Sequence, residues 1–341
     1  MEHGNLLRGK TIALALSGGG AKGAYQIGMM KALYEAGLER SKLWLSGTSI
    51  GAMNAVYLAC HDPETLREMF YAFDRSAGHD TVPVTPFDVV GKAREDVMAG
   101  RVTLEEFLNE KRFYAMDPAP LLEYYRETLP DELLEHNPVP VEVCCYSLIA
   151  RRPVHFRLNG LPAEEQRMLV LASGSLPYVF PPVRFHGDVL LDGGVVPEIL
   201  FHERKTGHTG GLSDESGRTE NAELQRRISV GGAAETPAPH EKIPVPAMCE
   251  MLDKENVCAD WLIGAFLNLY DEVERPKEGA DSVCRRYREL RPSVPLEESP
   301  GSGTLDFSPE KLDSHEKLGY EDTVRFLCSF VSEQAMGTCG Y

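Results

Sequence analysis

The 341 residues carry 52 acidic against 35 basic side chains, a formal net charge of −17, with 43% apolar and 26% charged positions. A chain of this length buries a core without metal or disulfide staples, and its balance of apolar and charged residues excludes a disordered or membrane-embedded class. So acidic a surface repels polyanions, which excludes nucleic acid as a partner and leaves any membrane contact to apolar groups or a local basic patch.

Thr11 to Leu16 is a short apolar run ending in glycines and predicts a buried strand. Ile27, Met30, Tyr34 and Leu38 follow near helical spacing, with Gly37 close to the end, so a helix is expected from Ala24 to Leu38. Leu43 to Leu45 predicts a second strand. Ala52 to Cys60, apolar or small almost throughout, predicts a helix buried in mid-domain. Amphipathic helices are expected over Pro63 to Phe73, Thr103 to Asn109 and Pro120 to Leu129, the last opened by Pro118 and Pro120. Val141 to Tyr146 reads as a strand with Pro153 to Leu158 as its hairpin partner. Glu164 to Ala172 reads as a helix ended by Ser173-Gly174-Ser175, and Val189 to Leu191 as a strand running into Asp192-Gly193-Gly194. Residues 203–247 are dominated by glycine, serine, threonine, proline and charge, and only Ile228 to Val230 is strand-like, so they read as a long loop, an insertion or a boundary. Helical character is expected from Ala247 to Glu274 and from Ser308 to Val331, and the cluster Arg285, Arg286, Arg288 and Arg291 reads as a solvated helix face beside Glu289.

This alternation predicts an α/β fold with a mainly parallel central sheet flanked by helices. The expected organisation is a catalytic domain over residues 11–202, a polar loop or insertion over 203–247, and a mostly helical region over 248–341 packing on the first. The eight cysteines show no Cys-x-x-Cys spacing and no accompanying histidine cluster, so no metal site is expected. Near the amino terminus Ile12 to Leu16 is too short for a signal-peptide core, and no run approaches the ~20 apolar residues of a membrane span. A cytoplasmic protein is expected.

Three local features carry chemistry. Ser17-Gly18-Gly19-Gly20-Ala21-Lys22-Gly23 lies between a strand and a helix, where consecutive glycines turn tightly and aim several N–H groups at one point. A dinucleotide pyrophosphate suits this loop, because Gly18, Gly20 and Gly23 satisfy Gly-x-Gly-x-x-Gly. An oxyanion forming on a carbonyl under attack suits it equally. A nucleotide P-loop fits poorly, since Lys22 precedes Gly23 and not serine or threonine. The second feature, Gly47-Thr48-Ser49-Ile50-Gly51, follows an apolar strand and opens a small-residue helix, the setting of a nucleophile elbow; a plain helix-capping turn is its bland alternative. The third is Asp192-Gly193-Gly194, a carboxylate at a strand's end that could take a serine proton, or an ordinary Asp-Gly turn.

In this order, the three together resemble the patatin-like phospholipase family. Met116-Asp117-Pro118-Ala119-Pro120, Ala172-Ser173-Gly174-Ser175-Leu176-Pro177, Phe180-Pro181-Pro182-Val183 and Gly303 to Glu310 extend the likeness, the last to the tail of bacterial members. The resemblance implies a three-layer α/β/α fold and a lipid acyl hydrolase working through an acyl-serine and a Ser-Asp dyad. It implies Ser49 as nucleophile, Asp192 as base, the N–H groups of Gly18, Gly19 and Gly20 as oxyanion hole, and Lys22, Gly23, Gly47, Gly51, Gly193 and Gly194 as supporting motif residues. No cofactor is implied; the partner is a lipid ester, phospholipid, lysophospholipid or neutral glyceride, with at most transient contact at a membrane surface.

A histidine could instead complete a triad, with His202, His208, His240 or His315 following Asp192, but each reads as a solvated surface residue, and His186 as a loop or pocket residue. Tyr178, Phe180, Pro181 and Pro182 could line an acyl groove. The family's strand soon after the Asp-Gly-Gly turn has no counterpart in residues 203–227, which keeps open a catalytically weak scaffold with a binding role. A dinucleotide-binding protein, with Glu39 as its ribose acid, is the remaining alternative.

Overall fold

A computed structural model of the chain describes residues 5–79, 85–194, 202–204, 208–210, 245–269, 287–297 and 303–337. Its strands are Ile12–Leu16 (β1), Leu43–Thr48 (β2), Val141–Ser147 (β3), Arg152–Arg157 (β4), Val183–Phe185 (β5), Asp188–Asp192 (β6), His202–Arg204 (β7), His208–Gly210 (β8), Trp261–Ala265 (β9) and Tyr287–Leu290 (β10). Its α-helices are Ala24–Glu35 (α1), Ile50–Cys60 (α2), Pro63–His79 (α3), Phe87–Met98 (α4), Leu104–Asn109 (α5), Ala119–Thr128 (α6), Asp131–Glu135 (α7), Ala163–Ser173 (α8), Val245–Lys254 (α9) and Pro309–Gly337 (α10).

β1 is buried along its whole length, as a strand covered on both faces must be. It pairs in parallel with β2 on one side and β9 on the other, and β10 extends the sheet in parallel beyond β9. β3 joins β2, also in parallel, so the centre of the sheet is parallel as expected. β4, β6 and β5 complete it by antiparallel pairing. One face, with Ile12, Leu14 and Leu16, packs under α1, α2 and α8. The other, with Ala13 and Ala15, packs under Met248, Met251 and Leu252 of α9. A third cluster gathers Val90, Val97, Phe107, Phe113 and Tyr178 beside Leu191. Helices on both faces of the sheet give the three-layer α/β/α arrangement.

The pairing of β3 fixes where the chemistry falls. β4 takes one edge of β3 from Glu142 to Ser147, so β2 and β6 must share the other. β2 runs beside Val141 to Cys144 and β6 beside Cys145 to Ser147. One is parallel to β3 and the other antiparallel, so their carboxyl ends meet head to head.

Two expectations are corrected. Helix was expected from Ala247 to Glu274, yet α9 stops at Lys254, Asn256 turns the chain with a left-handed φ of 52°, and Trp261–Ala265 is strand β9. A five-residue apolar run buried between neighbours has no period to separate strand from helix. The basic cluster expected on a solvated helix face contributes Arg288 to strand β10, and Arg291 lays its guanidinium 3.7 Å over the Phe266 ring; Arg285 and Arg286 lie outside the described residues. So does the polar segment 203–247, apart from residues 203–204, 208–210 and 245–247.

α10 lies directly on α1. A Cβ on Gly28 would stand 1.8 Å from the Glu316 carbonyl oxygen, and one on Gly319 would stand 1.9 Å from that of Tyr25, so the two backbones touch. Among the described residues no helix is long and apolar enough to cross a membrane.

Candidate active site

Ser49 is the single residue between β2 and α2. It adopts φ 56° and ψ −128°, a region costing a non-glycine residue about 1–3 kcal/mol and held only where the surroundings over-determine it. The surroundings are backbone. A Cβ on Gly47 would lie 2.2 Å from the Gly51 carbonyl oxygen, and one on Gly51 would lie 2.3 Å from that of Leu16. The serine oxygen makes no cap bond to α2, which leaves it available while the helix's positive end faces the same point. The Ser49 N–H donates to Ser173 Oγ at 2.9 Å, and the Ser173 hydroxyl donates onward to the Cys144 carbonyl at 2.6 Å.

Asp192 ends β6 and is 3% exposed. The Gly194 N–H donates to its Oδ1 at 2.8 Å. Burial pushes its pKa from 3.8 up to about 6, against the downward pull of the nearby Ser49 hydroxyl and the Gly194 N–H. Its own N–H donates to the Ser175 carbonyl at 3.1 Å. Both residues of the expected dyad are therefore held by one short stretch at the end of α8: Ser173 binds Ser49 and Ser175 binds Asp192. A Cβ on Gly193 would sit 2.4 Å from the Cys144 carbonyl oxygen, so the Asp-Gly-Gly turn lies flat on β3.

The glycine loop closes the site. A Cβ on Gly18 would be 2.8 Å from that of Ser49. Gly20 has φ 58° and presses on the Thr304 carbonyl, which accepts the Ala21 N–H at 2.9 Å. None of the loop and turn backbone bonds among the described residues uses the N–H of Gly18, Gly19 or Gly20. Gly23 packs against Ile50 and offers its carbonyl to Asn54 Nδ2 at 3.1 Å; Asn54 Nδ2 also donates to Gln26 Oε1, and Gln26 Nε2 to the Ser17 carbonyl. Lys22 turns inward, with Nζ 2.9 Å from Glu297 Oε2 and 2.9 Å from Asn268 Oδ1. A serine, a desolvated carboxylate and a glycine-rich turn thus converge from three distant parts of the chain.

Residues 14–203, more than half of the chain, match the family model for Patatin-like phospholipase. The chain belongs to the patatin-like phospholipase family. Among its relatives, lysophospholipase nte1 of Aspergillus terreus is 28% identical over 203 residues, covering 58% of this chain and 11% of that protein. An uncharacterized NTE family protein of Mycobacterium bovis is 24% identical over 252 residues, 74% of this chain and 54% of that one. The match therefore spans about a tenth of the fungal relatives and about half of the mycobacterial one. The crystal structure of VipD from Legionella pneumophila aligns with a TM-score of 0.38 at 16% identity, over 94% of this chain and 67% of that one.

Within this patatin-like site, sequence reading missed Ser173, Gln26, Asn54, Asn268 and Glu297. The first belongs to a stretch quoted for its family likeness, but nothing in a lone serine marks it as a bridge. The polar pair Gln26 and Asn54 stands out only as two amides within buried, mostly apolar or small stretches of their helices. One histidine expectation is corrected: His315, read as solvated on a charged helix, is 4% exposed, because its face of α10 turns inward and its Nε2 lies 2.9 Å from the Leu296 carbonyl. The His186 side chain is exposed at the β5–β6 turn, 3.1 Å from Glu165. His240 lies outside the described residues, and His202 and His208 are described only as parts of β7 and β8. Among the described residues the Asp192 carboxylate accepts from the Gly194 N–H, and its titration is shaped by burial, Ser49 and Gly194, with no histidine acting on it.

Proposed function

We propose that this member of a lipid hydrolase family cleaves carboxylic esters of lipids through an acyl-serine, with Ser49 as nucleophile and Asp192 as its base. The observation that carries the proposal is the meeting of β2 and β6 on one edge of β3, which sets Ser49, one residue past Thr48, near the buried Asp192, whose carboxyl burial lifts to about 6 against the pull of the Ser49 hydroxyl. A carboxylate at its ordinary value is a poor base near neutrality; raised by two units it remains ionised at pH 7 while holding a proton far better.

In the first step Ser49 Oγ bonds to the ester carbonyl carbon as its proton passes to Asp192. The carbonyl π electrons move onto oxygen, where the N–H groups of Gly18, Gly19 and Gly20 would receive them, each donor contributing on the order of 3 kcal/mol at the barrier. The tetrahedral intermediate collapses, the carbon–oxygen bond to the leaving alcohol breaks, and Asp192 returns its proton to that alcohol. Water then attacks the acyl-serine by the same route, giving fatty acid and free Ser49. A phospholipid, lysophospholipid or glyceride would supply the ester, with Tyr178, Phe180, Pro181 and Pro182 as candidates to meet its acyl chain.

The dinucleotide alternative needs an acid at the tip of the second strand. That tip carries Ser49, and Glu39 instead accepts the Gly9 N–H at 3.1 Å. The proposal is tested with a fluorophosphonate probe on the wild type, Ser49→Ala and Asp192→Asn, followed by a lipid-class screen. Labelling at Ser49 in the wild type, absent in Ser49→Ala and slowed in Asp192→Asn, is expected. A folded wild type that takes no label would instead point to a non-catalytic scaffold.

A further inference from the structure

Lys22 sits two residues beyond the last expected oxyanion donor, and its side chain is 4% exposed. An ammonium taken that far from water is costly unless an opposite charge and hydrogen bonds replace its hydration. Glu297 and Asn268, both 2.9 Å away, supply them. Neither belongs to the stretch 14–203 that carries the family match.

Other contacts of the loop come from the same later part of the chain. Thr304 accepts the Ala21 N–H and abuts Gly20. Leu267 covers Gly19, and its N–H donates to Ser17 Oγ at 2.9 Å. His315 Nε2 donates to the Leu296 carbonyl at 2.9 Å, anchoring the residue before Glu297. The loop is thus braced from outside by a strap that arrives 250 residues after Ser17 at Leu267 and later still at Glu297 and Thr304.

We propose that Glu297 is a positioning residue: its ion pair with Lys22 holds Gly18–Gly20 against Ser49, so the later part of the chain completes the oxyanion hole. This rests on the role given above to Ser49 and the glycine loop. Removing the carboxylate charge leaves an uncompensated buried ammonium, which turns toward water and draws the Gly20–Gly23 turn with it. Misplacing a group by ~1 Å can cost on the order of a hundredfold in rate, and one oxyanion donor is worth a comparable factor in kcat.

The test uses the full chain, p-nitrophenyl butyrate and the fluorophosphonate. Glu297→Gln is expected to lower kcat and the labelling rate by about 30-fold, with KM held within about threefold. The pH midpoint should stay where Asp192 sets it. Exchanging the charges, Lys22→Glu with Glu297→Lys, should recover at least about fivefold over Glu297→Gln. If Glu297→Gln does not fold by circular dichroism, Glu297→Asp, which keeps the charge but withdraws it by one methylene, should lose about fivefold. A folded Glu297→Gln or Glu297→Asp labelled at Ser49 within about twofold of the wild-type rate overturns the positioning role and leaves the Ser49 proposal intact. Absence of label on wild-type Ser49 overturns the underlying reading instead.

Discussion

Thr48 and Asp192 stand opposite neighbouring residues of one strand: Thr48 pairs with Cys144 and Asp192 with Cys145. Their strands approach along the same edge of β3 from opposite directions, so the distance between the residues that follow is set by a ladder and not by loops. The Gly193 turn must then lie on the Cys144 carbonyl. Gly193→Ala places a Cβ 2.4 Å from that oxygen, and β3 cannot retreat because β4 holds its far edge. Asp192 should be pushed away from Ser49, lowering the fluorophosphonate labelling rate by at least about tenfold. Labelling at the wild-type rate would show that the turn relaxes freely.

The carboxylate must be ionised to accept a proton, and its pKa is raised to about 6. Ester hydrolysis should therefore fall as pH drops through about 6, approaching a tenfold loss per unit below it. An acid limb near 4 would mean that burial does not raise the Asp192 carboxyl. A limb surviving in Asp192→Asn would assign it to another group.

The same shift has a consequence for stability. Asp192 binds its proton more tightly in the folded chain than in the unfolded one. Its contribution is fully present below the ordinary value of 3.8 and is lost as pH rises through about 6. At pH 8 the buried charge costs on the order of 3 kcal/mol. Asp192→Asn should thus be much slower yet more stable than wild type at pH 8, with the gain shrinking toward pH 4, as denaturant midpoints would reveal. Glu142, pushed up to about 7 by burial, shifts both proteins alike and cancels from the difference. A variant equally destabilised at both pH values would contradict the burial of the charge.

Much of this site was legible because close backbone approach leaves a mark in sequence. Gly47, Gly51, Gly18 and Gly193 are glycines since any Cβ there would meet a carbonyl or the nucleophile itself, and such positions survive in a motif. The short strand before Ser49 and the one before Asp192 were visible as apolar runs for the same reason that they are buried. What could not be read was pairing direction. Nothing in Val189 to Leu191 says that β6 is antiparallel to β3, so its end was expected at the carboxyl edge of a parallel sheet, whereas it meets β2 head on. Trp261–Ala265 was hidden by the same ambiguity of short apolar runs, and with it went the neighbours that brace the glycine loop. Glu297 and His315 are charged or polar residues in a polar context, and only the fold turns them inward.

Ser173 offers the sharpest separation of packing from positioning. Its hydroxyl takes the Ser49 N–H and gives its proton to the Cys144 carbonyl, and the residue is fully buried. Ser173→Ala leaves a donor and an acceptor unpaired in the interior, a loss of roughly 1–3 kcal/mol for each group left unsatisfied. It also frees the backbone of a residue held at a costly φ, so Ser49 should sample geometries from which its hydroxyl misses Asp192. Labelling should slow by about tenfold or more while the acid limb near 6 stays in place, because Asp192 remains buried. Ser175→Ala is the matched control: among the described residues its hydroxyl bonds the Leu171 carbonyl in the last turn of α8, and its grip on Asp192 is through the backbone. That variant should lose some stability and keep its labelling rate. Equal slowing in both would mean that the end of α8 acts by packing alone.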